Sequence, residues 1–137
     1  MKLNIRRLTD SDYNTLTKWW KSWPEWTPPT RDFLPENGKG GLIVEKDNKS
    51  IVAGFIYLTN SKTALLEWIV SDPKYRESDR EEAIELLISA SENVCKELGY
   101  KYIFSIGRTK RLIEKHKKLG WHVDNIASYE IVKILNQ

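Results

Sequence analysis

Val70-Ser71-Asp72-Pro73-Lys74-Tyr75-Arg76-Glu77-Ser78-Asp79-Arg80-Glu81-Glu82-Ala83-Ile84-Glu85-Leu86-Leu87 reads as a strand end, a short polar turn and the start of an amphipathic helix. Such a junction presents backbone N–H groups at the helix N-terminus, a common place to hold a phosphate. The turn nevertheless carries Glu77, Asp79 and Glu81, where a phosphate cradle favours glycine. A second reading fits the same residues. Ser78-x-x-Glu81 has the spacing of a capping box, with Asp79 favourable in the first helical turn. A capping box and a diphosphate compete for the same N–H groups.

Outward from this junction, the helix runs from Arg80 to Leu98, with Ile84, Leu87, Ile88, Ser91, Val94, Cys95 and Leu98 on one face and Gly99 as its stop. Upstream, Gly41–Lys46, Ile51–Thr59 and Ala64–Ser71 read as three strands joined by the turns Asp47-Asn48-Lys49 and Asn60-Ser61-Lys62, an antiparallel meander. Downstream come a strand at Tyr102–Ile106, a basic helix at Thr109–Leu119 closed by Gly120, and a terminal strand at Ser128–Leu135. A short extra strand is expected at Trp121–Val123. The chain opens with a strand around Leu3–Leu8 and a helix capped within Thr9–Asp12, striped by Tyr13, Leu16, Trp20 and Trp23 and ended by Pro24. The segment from Glu25 to Gly41 lacks periodicity, as binding loops do. The order predicts one α/β (α+β) domain over residues 1–137, a mixed, mostly antiparallel sheet with helices on both faces. The unit from Ala64 to Ile106 should be parallel and right-handed.

Composition narrows the function. The chain has 137 residues, 40% hydrophobic and 30% charged, with net charge +3. That is ordinary for a water-soluble domain and allows an anionic ligand without demanding nucleic acid. No apolar run is long enough for a membrane span or a signal peptide, so a cytoplasmic protein with no membrane partner is expected. The single cysteine, Cys95, falls on an apolar helix face and reads as core. His116 and His122 lack the neighbours of a zinc site.

Asp72-Pro73-Lys74-Tyr75-Arg76 after a central strand, and His116-Lys117-Lys118-Leu119-Gly120-Trp121 near the end, give the chain its family likeness. Together with the element order, over nearly the whole length, the chain resembles the GNAT superfamily of N-acyltransferases. In that family the first motif leads into a glycine-containing turn that grips the coenzyme A pyrophosphate. The second usually reads Tyr-x-x-x-Gly-Phe, its tyrosine often the general acid. Here Arg76 matches, Asp79 and Glu81 stand at glycine positions, and His116 stands at the tyrosine position. The resemblance implies acetyl-CoA as acyl donor and an amine, small molecule or protein, as acceptor. It places the cofactor at Ile69, Val70 and Ser71 on the strand, at Arg76, Ser78, Asp79, Arg80 and Glu81 in the turn, and at Thr109. The pyrophosphate turn is expected to be degenerate.

Glu67 lies among apolar strand residues, by alternation on one face with Leu65, Ile69 and Ser71. Burial there would raise its pKa and suit a base; an exposed glutamate on the open side of the sheet is the alternative. His116 could donate a proton, although its lysine neighbours point to a surface histidine. Tyr102 and Tyr129 are weaker candidates. Trp23, Trp26, Arg31, Asp32 and Phe33 form an expected acceptor wall, since aromatics with carboxylates suit a cationic amine. Trp19 and Trp20 read as core and rim. Arg108, Lys110, Arg111, Lys115, Lys117 and Lys118 form either a solvated face or a contact for a nucleotide or polyanion. The competing function is a non-catalytic module of the same fold that binds a protein or nucleic acid; a homodimer is compatible with either.

Overall fold

A computed structural model describes residues 2–24 and 26–135; Glu25, the first residue of the long connection, lies outside them. Five strands form one sheet in the order β1 (Asn4–Arg7), β2 (Gly41–Lys46), β3 (Lys49–Leu58), β4 (Thr63–Ser71), β5 (Tyr102–Phe104). The first four pair antiparallel, and β5 joins β4 in parallel after α2 (Arg80–Glu97). Two further helices are α1 (Asp12–Ser22) and α3 (Lys110–Lys118). The meander, the parallel unit and the mixed sheet follow the sequence reading.

Strand alternation sorts the sheet into two cores. Leu42, Val44, Val52 and Leu66 face α2, where they meet Ala83, Leu87 and Ile88. Ile43, Ala53, Phe55 and Val70 face the other way, onto Leu16, Trp19 and Trp20 of α1. Neighbouring residues pointing to opposite faces is what a pleated strand between two helical layers requires. Cys95 is buried in the α2 core, and burial pushes its thiol pKa up, as for an inert cysteine. The Asp12 carboxylate at the start of α1 accepts from the Arg6 guanidinium at 2.9 and 3.0 Å and from the Thr9 amide at 2.7 Å, tying β1 to the helix.

The close approach of β2 to β3 depends on Gly41. A Cβ there would run into the Gly54 carbonyl oxygen and stand 2.9 Å from the Phe55 Cα. Both obstacles are backbone in the middle of the sheet, so neither can rotate away. Gly41→Ala is therefore expected to destabilise the fold by about 3 kcal/mol or more, read as a lowered urea midpoint at unchanged slope.

Three expectations fail. Residues 128–135 are irregular, not a strand: Tyr129 and Ile131 are each 93% exposed. The apolar alternation that suggests a strand carries no information about whether a partner edge lies within reach. Residues 121–123 likewise form no strand. The capping box does not form either. Asp79 is the cap residue of α2, with no side-chain cap hydrogen bond. Its carboxylate instead takes Lys46 at 2.9 Å and the Tyr75 hydroxyl at 2.7 Å.

Candidate active site

The site begins with an irregularity in β4. Pairing with β3 shifts register between Ala53 and Phe55, and Trp68, opposite the shift, has a left-handed φ of 57°. For a bulky residue that conformation costs on the order of 1–2 kcal/mol, which the surrounding packing must hold. The bulge reverses the alternation. Ala64 and Leu66 face α2 before it, Ile69 packs on that side after it, and Trp68 and Val70 turn to the α1 core. Glu67 and Trp68 consequently both line the cavities described next, and Glu67 does not share a face with Ile69 as simple alternation predicts. Gly54 is the sequence signal: glycine inside a strand often marks a bulge in its partner.

Parallel pairing of β4 with β5 ends at Leu65–Phe104, and beyond it the strands part. A cleft of about 350 Å³ opens in the gap, walled by Ile69, Val70 and Ser71 of β4, by Arg80 and Ile84 of α2, and by Thr109, Arg111 and Lys115 at α3. The N-terminal ends of both helices border it, and Thr109 caps α3 by accepting the Leu112 amide. Two positive helix ends plus Arg80, Arg111 and Lys115 make the mouth favourable for an anion. A second cavity, about 370 Å³, adjoins the cleft, and Glu67, Trp68, Ile106 and Arg108 line both.

Glu67 is the group at this shared wall. It is 8% exposed, and its Oε2 is buried without a hydrogen-bond partner. Burial pushes its pKa up to about 7, against the opposing influence of the Ile106 amide and the Arg108 guanidinium. The exposed alternative for Glu67 is thereby overturned. Tyr57, whose hydroxyl donates to the Phe33 carbonyl at 3.0 Å, also lines the second cavity; burial and the Glu67 charge push its pKa up to about 12.

Trp68 is the residue that sequence reasoning missed. Its ring makes edge contacts with Trp20, Trp26 and Phe33 at 6.1, 6.1 and 5.7 Å. The Arg108 guanidinium lies 5.2 Å over Trp68 and 5.8 Å from Trp26, and pairs with Glu130.

Of the expected acceptor wall, Trp23 and Trp26 line the cleft and Phe33 the second cavity. Arg31 is elsewhere, over the Tyr13 ring and paired with Asp10 at 2.9 Å, and Asp32 takes the Thr30 hydroxyl. Ile69, Val70, Ser71, Arg80 and Thr109 come together at the cleft; Arg76, Ser78, Asp79 and Glu81 line neither cavity. Arg80 is a strut as well as a cation, donating to the Asp72 and Tyr75 carbonyls and the Ser71 hydroxyl. Glu81 is held by Lys115 at 2.9 Å, and Glu85 by Lys115 and Lys118. The basic helix face is thus partly spent on bridging α3 to α2. His116 is not a surface residue. It is 5% exposed, its Nδ1 is 2.8 Å from the Leu112 carbonyl, and its ring meets Trp121 edge-on. Burial lowers its pKa, and it lines neither cavity. Tyr102 and Tyr129 are exposed and line neither cavity. Among the described residues no cluster of three or more histidine, cysteine or acidic side chains could hold a metal, and no helix is long and apolar enough to cross a membrane.

No protein-family model and no curated protein sequence matches the chain. Solved structures do. N-acetylglutamate synthase from Neisseria gonorrhoeae, in complex with coenzyme A and N-acetyl-glutamate, matches 88% of this chain and 28% of its own at TM-score 0.70 and 13% identity. A Trypanosoma brucei acetyltransferase matches 96% of this chain and 100% of its own at 0.67 and 15%. An aminoglycoside acetyltransferase from an uncultured soil metagenomic sample matches 96% and 97% at 0.65 and 15%. At these identities the likeness is one of architecture, and the chain has the GNAT-like fold.

Proposed function

We propose that the protein moves an acetyl or related acyl group from coenzyme A to an amine, by direct attack within a ternary complex. The observation that carries this reading is the buried, unpartnered carboxyl oxygen of Glu67 in a wall common to two cavities. A group so placed can meet a donor held in the cleft and an acceptor held in the second cavity. The residues fit a coenzyme A donor: the helix ends, Arg111 and Lys115 suit its phosphates, and β4 beyond Leu65 has lost its β5 partner, leaving backbone for an extended arm. The donor supplies the acyl group as a thioester. The acceptor nitrogen bonds the carbonyl carbon, the C–S bond breaks, and coenzyme A leaves as the thiol after taking up the second proton released by nitrogen. Glu67 accepts the proton that the acceptor ammonium must lose before nitrogen can attack, and with a pKa near 7 it is partly ionised at neutral pH. Arg108, paired with Glu130, lies beside Glu67 and favours its ionised form. The proton-donor role is not given to His116, whose ring is packed away from both cavities.

Calorimetric titration with acetyl-CoA tests the reading. Saturable binding is expected at a Kd of about 1–100 μM, with thermal stabilisation of about 2.7 kcal/mol at a hundredfold excess over Kd. No heat and no thermal shift at millimolar ligand would sink the transferase and leave the non-catalytic module of the same fold.

A further inference from the structure

We infer that the second cavity takes a primary amine carried on an apolar body, an arylalkylamine or alkylamine, in preference to polyamines, aminosugars or amino acids. The inference rests on the transferase reading and names the acceptor class for the same wall. The chemistry of the lining separates the classes. Phe33, Tyr57, Leu65, Trp68, Ile106 and Val132 give the cavity a predominantly apolar and aromatic surface. Its charged groups are Glu67, Arg108 and Glu130.

Each competing class lacks its counter-charge. An amino acid needs a cation for its carboxylate. Among the described residues lining this cavity only Arg108 is cationic, and its guanidinium is already paired with Glu130 and lies over Trp68. A polyamine or aminosugar needs several carboxylates. Glu130 is taken by Arg108, and Glu67 is partly protonated near neutrality. One ammonium directed at Glu67 is what remains, with its hydrocarbon against the aromatics. Room is sufficient. A cavity of about 150 Å³ lined by aliphatic and aromatic side chains already admits benzene, and this one is about 370 Å³.

The test has two arms on the intact protein. In the first, acetyl transfer to 2-phenylethylamine, n-hexylamine, spermidine, kanamycin and alanine is followed by thiol release. The apolar amines are expected to exceed the others by about tenfold or more in kcat/KM. Acetyl-CoA binding combined with preferred turnover of spermidine, kanamycin or alanine overturns the inference and leaves the transferase reading standing. In the second arm, 2-phenylethylamine is titrated without donor and followed by tryptophan fluorescence, since Trp68 borders the cavity. Saturation below millimolar concentration supports the inference even if acetyl-CoA does not bind; no saturation, with no turnover of that amine, overturns it. Val132→Glu places a carboxylate on the apolar wall at a 58% exposed position, so the fold should tolerate it. The variant is expected to weaken 2-phenylethylamine about tenfold and improve spermidine at an unchanged melting temperature. Unchanged selectivity would show that this cavity does not hold the acceptor.

Discussion

Replacing Glu67 by glutamine should cost most of the acyl transfer while making the protein more stable at alkaline pH. The two effects have one cause. The carboxyl is 8% exposed, and its pKa is pushed from the ordinary 4.5 to about 7, chiefly by burial. A group whose pKa is higher folded than unfolded favours the folded state while protonated. That contribution is complete below pH 4.5 and is lost as pH rises through about 7. Above neutrality the folded protein holds a carboxylate where its surroundings favour the neutral acid. The gap corresponds to about 3 kcal/mol at pH 9, or roughly 10 °C in melting temperature for a domain of this size. Glutamine has the same shape and no charge to bury, so Glu67→Gln should melt higher at pH 9 and nearly unchanged at pH 5. An equal shift at both values would mean that Glu67 does not titrate between them. For turnover, loss of a base working from this position should lower kcat by about 10²–10³ and remove the rate limb near pH 7. Full activity in the variant would take the base role away from Glu67. A destabilised carboxylate kept at the junction of two cavities is a cost that packing alone does not explain.

Arg80→Met is expected to cause the largest loss of stability. The guanidinium donates to the Tyr75 carbonyl at 2.6 Å, the Asp72 carbonyl at 2.7 Å and the Ser71 hydroxyl at 2.7 Å, and the residue is 9% exposed. It joins the end of β4, the turn and α2 through one side chain. Methionine fills similar space but removes three hydrogen bonds from a charged donor and leaves the Tyr75 carbonyl without its Arg80 partner, while the Asp72 carbonyl keeps only the Tyr75 amide at 3.2 Å, at a cost of about 3–5 kcal/mol. Arg80→Lys keeps the charge with fewer directed donors and should fall between the two. Urea unfolding of the three proteins checks the order. A loss under about 1 kcal/mol in Arg80→Met would show that the turn is held by other contacts. Affinity for acetyl-CoA should fall as well, since Arg80 and the strand end it anchors border the cleft.

The fold was legible because its signals are local. Alternation in 41–71, the helical stripe from Ile84 to Cys95 and Gly99 after it each depend on a few adjacent residues, and each element formed where its pattern stood. Asp47 and Asn48, both at left-handed φ, close the β2–β3 hairpin as a turn of that composition should. The site was legible only in part. Ile69, Val70, Ser71, Arg80 and Thr109 reach the cleft because strand ends and helix starts are placed by chain order. Glu67 stood out in the sequence and lines both cavities, but its neighbours there did not stand out. The bulge at Trp68 moves residues between faces, and it sits opposite Gly54 of another strand. Arg108 meets Trp26, Trp68 and Glu130 from three distant parts of the chain, and no spacing in the sequence announces that meeting.

The carboxylates of the opening turn have a similar history. In sequence Asp79 and Glu81 oppose a phosphate or cap a helix. In the folded protein Asp79 is held by Lys46 and Tyr75, and Glu81 by Lys115. Their charges are neutralised by partners from β2 and α3, a strand before the turn and a helix well after it. The apolar alternation of residues 128–135 shows the converse, a local strand pattern left without a strand. By itself the sequence determined the strands and helices from residue 4 to 118, their order, and the parallel crossover that opens a cleft at the end of β4, because periodicity and chain connectivity are short-range properties. Only the tertiary structure decided which charges are neutralised, where His116 is buried and that Glu67 lines two cavities with one carboxyl oxygen unpartnered. Those outcomes depend on contacts between residues far apart in the chain and on how completely water is excluded around them.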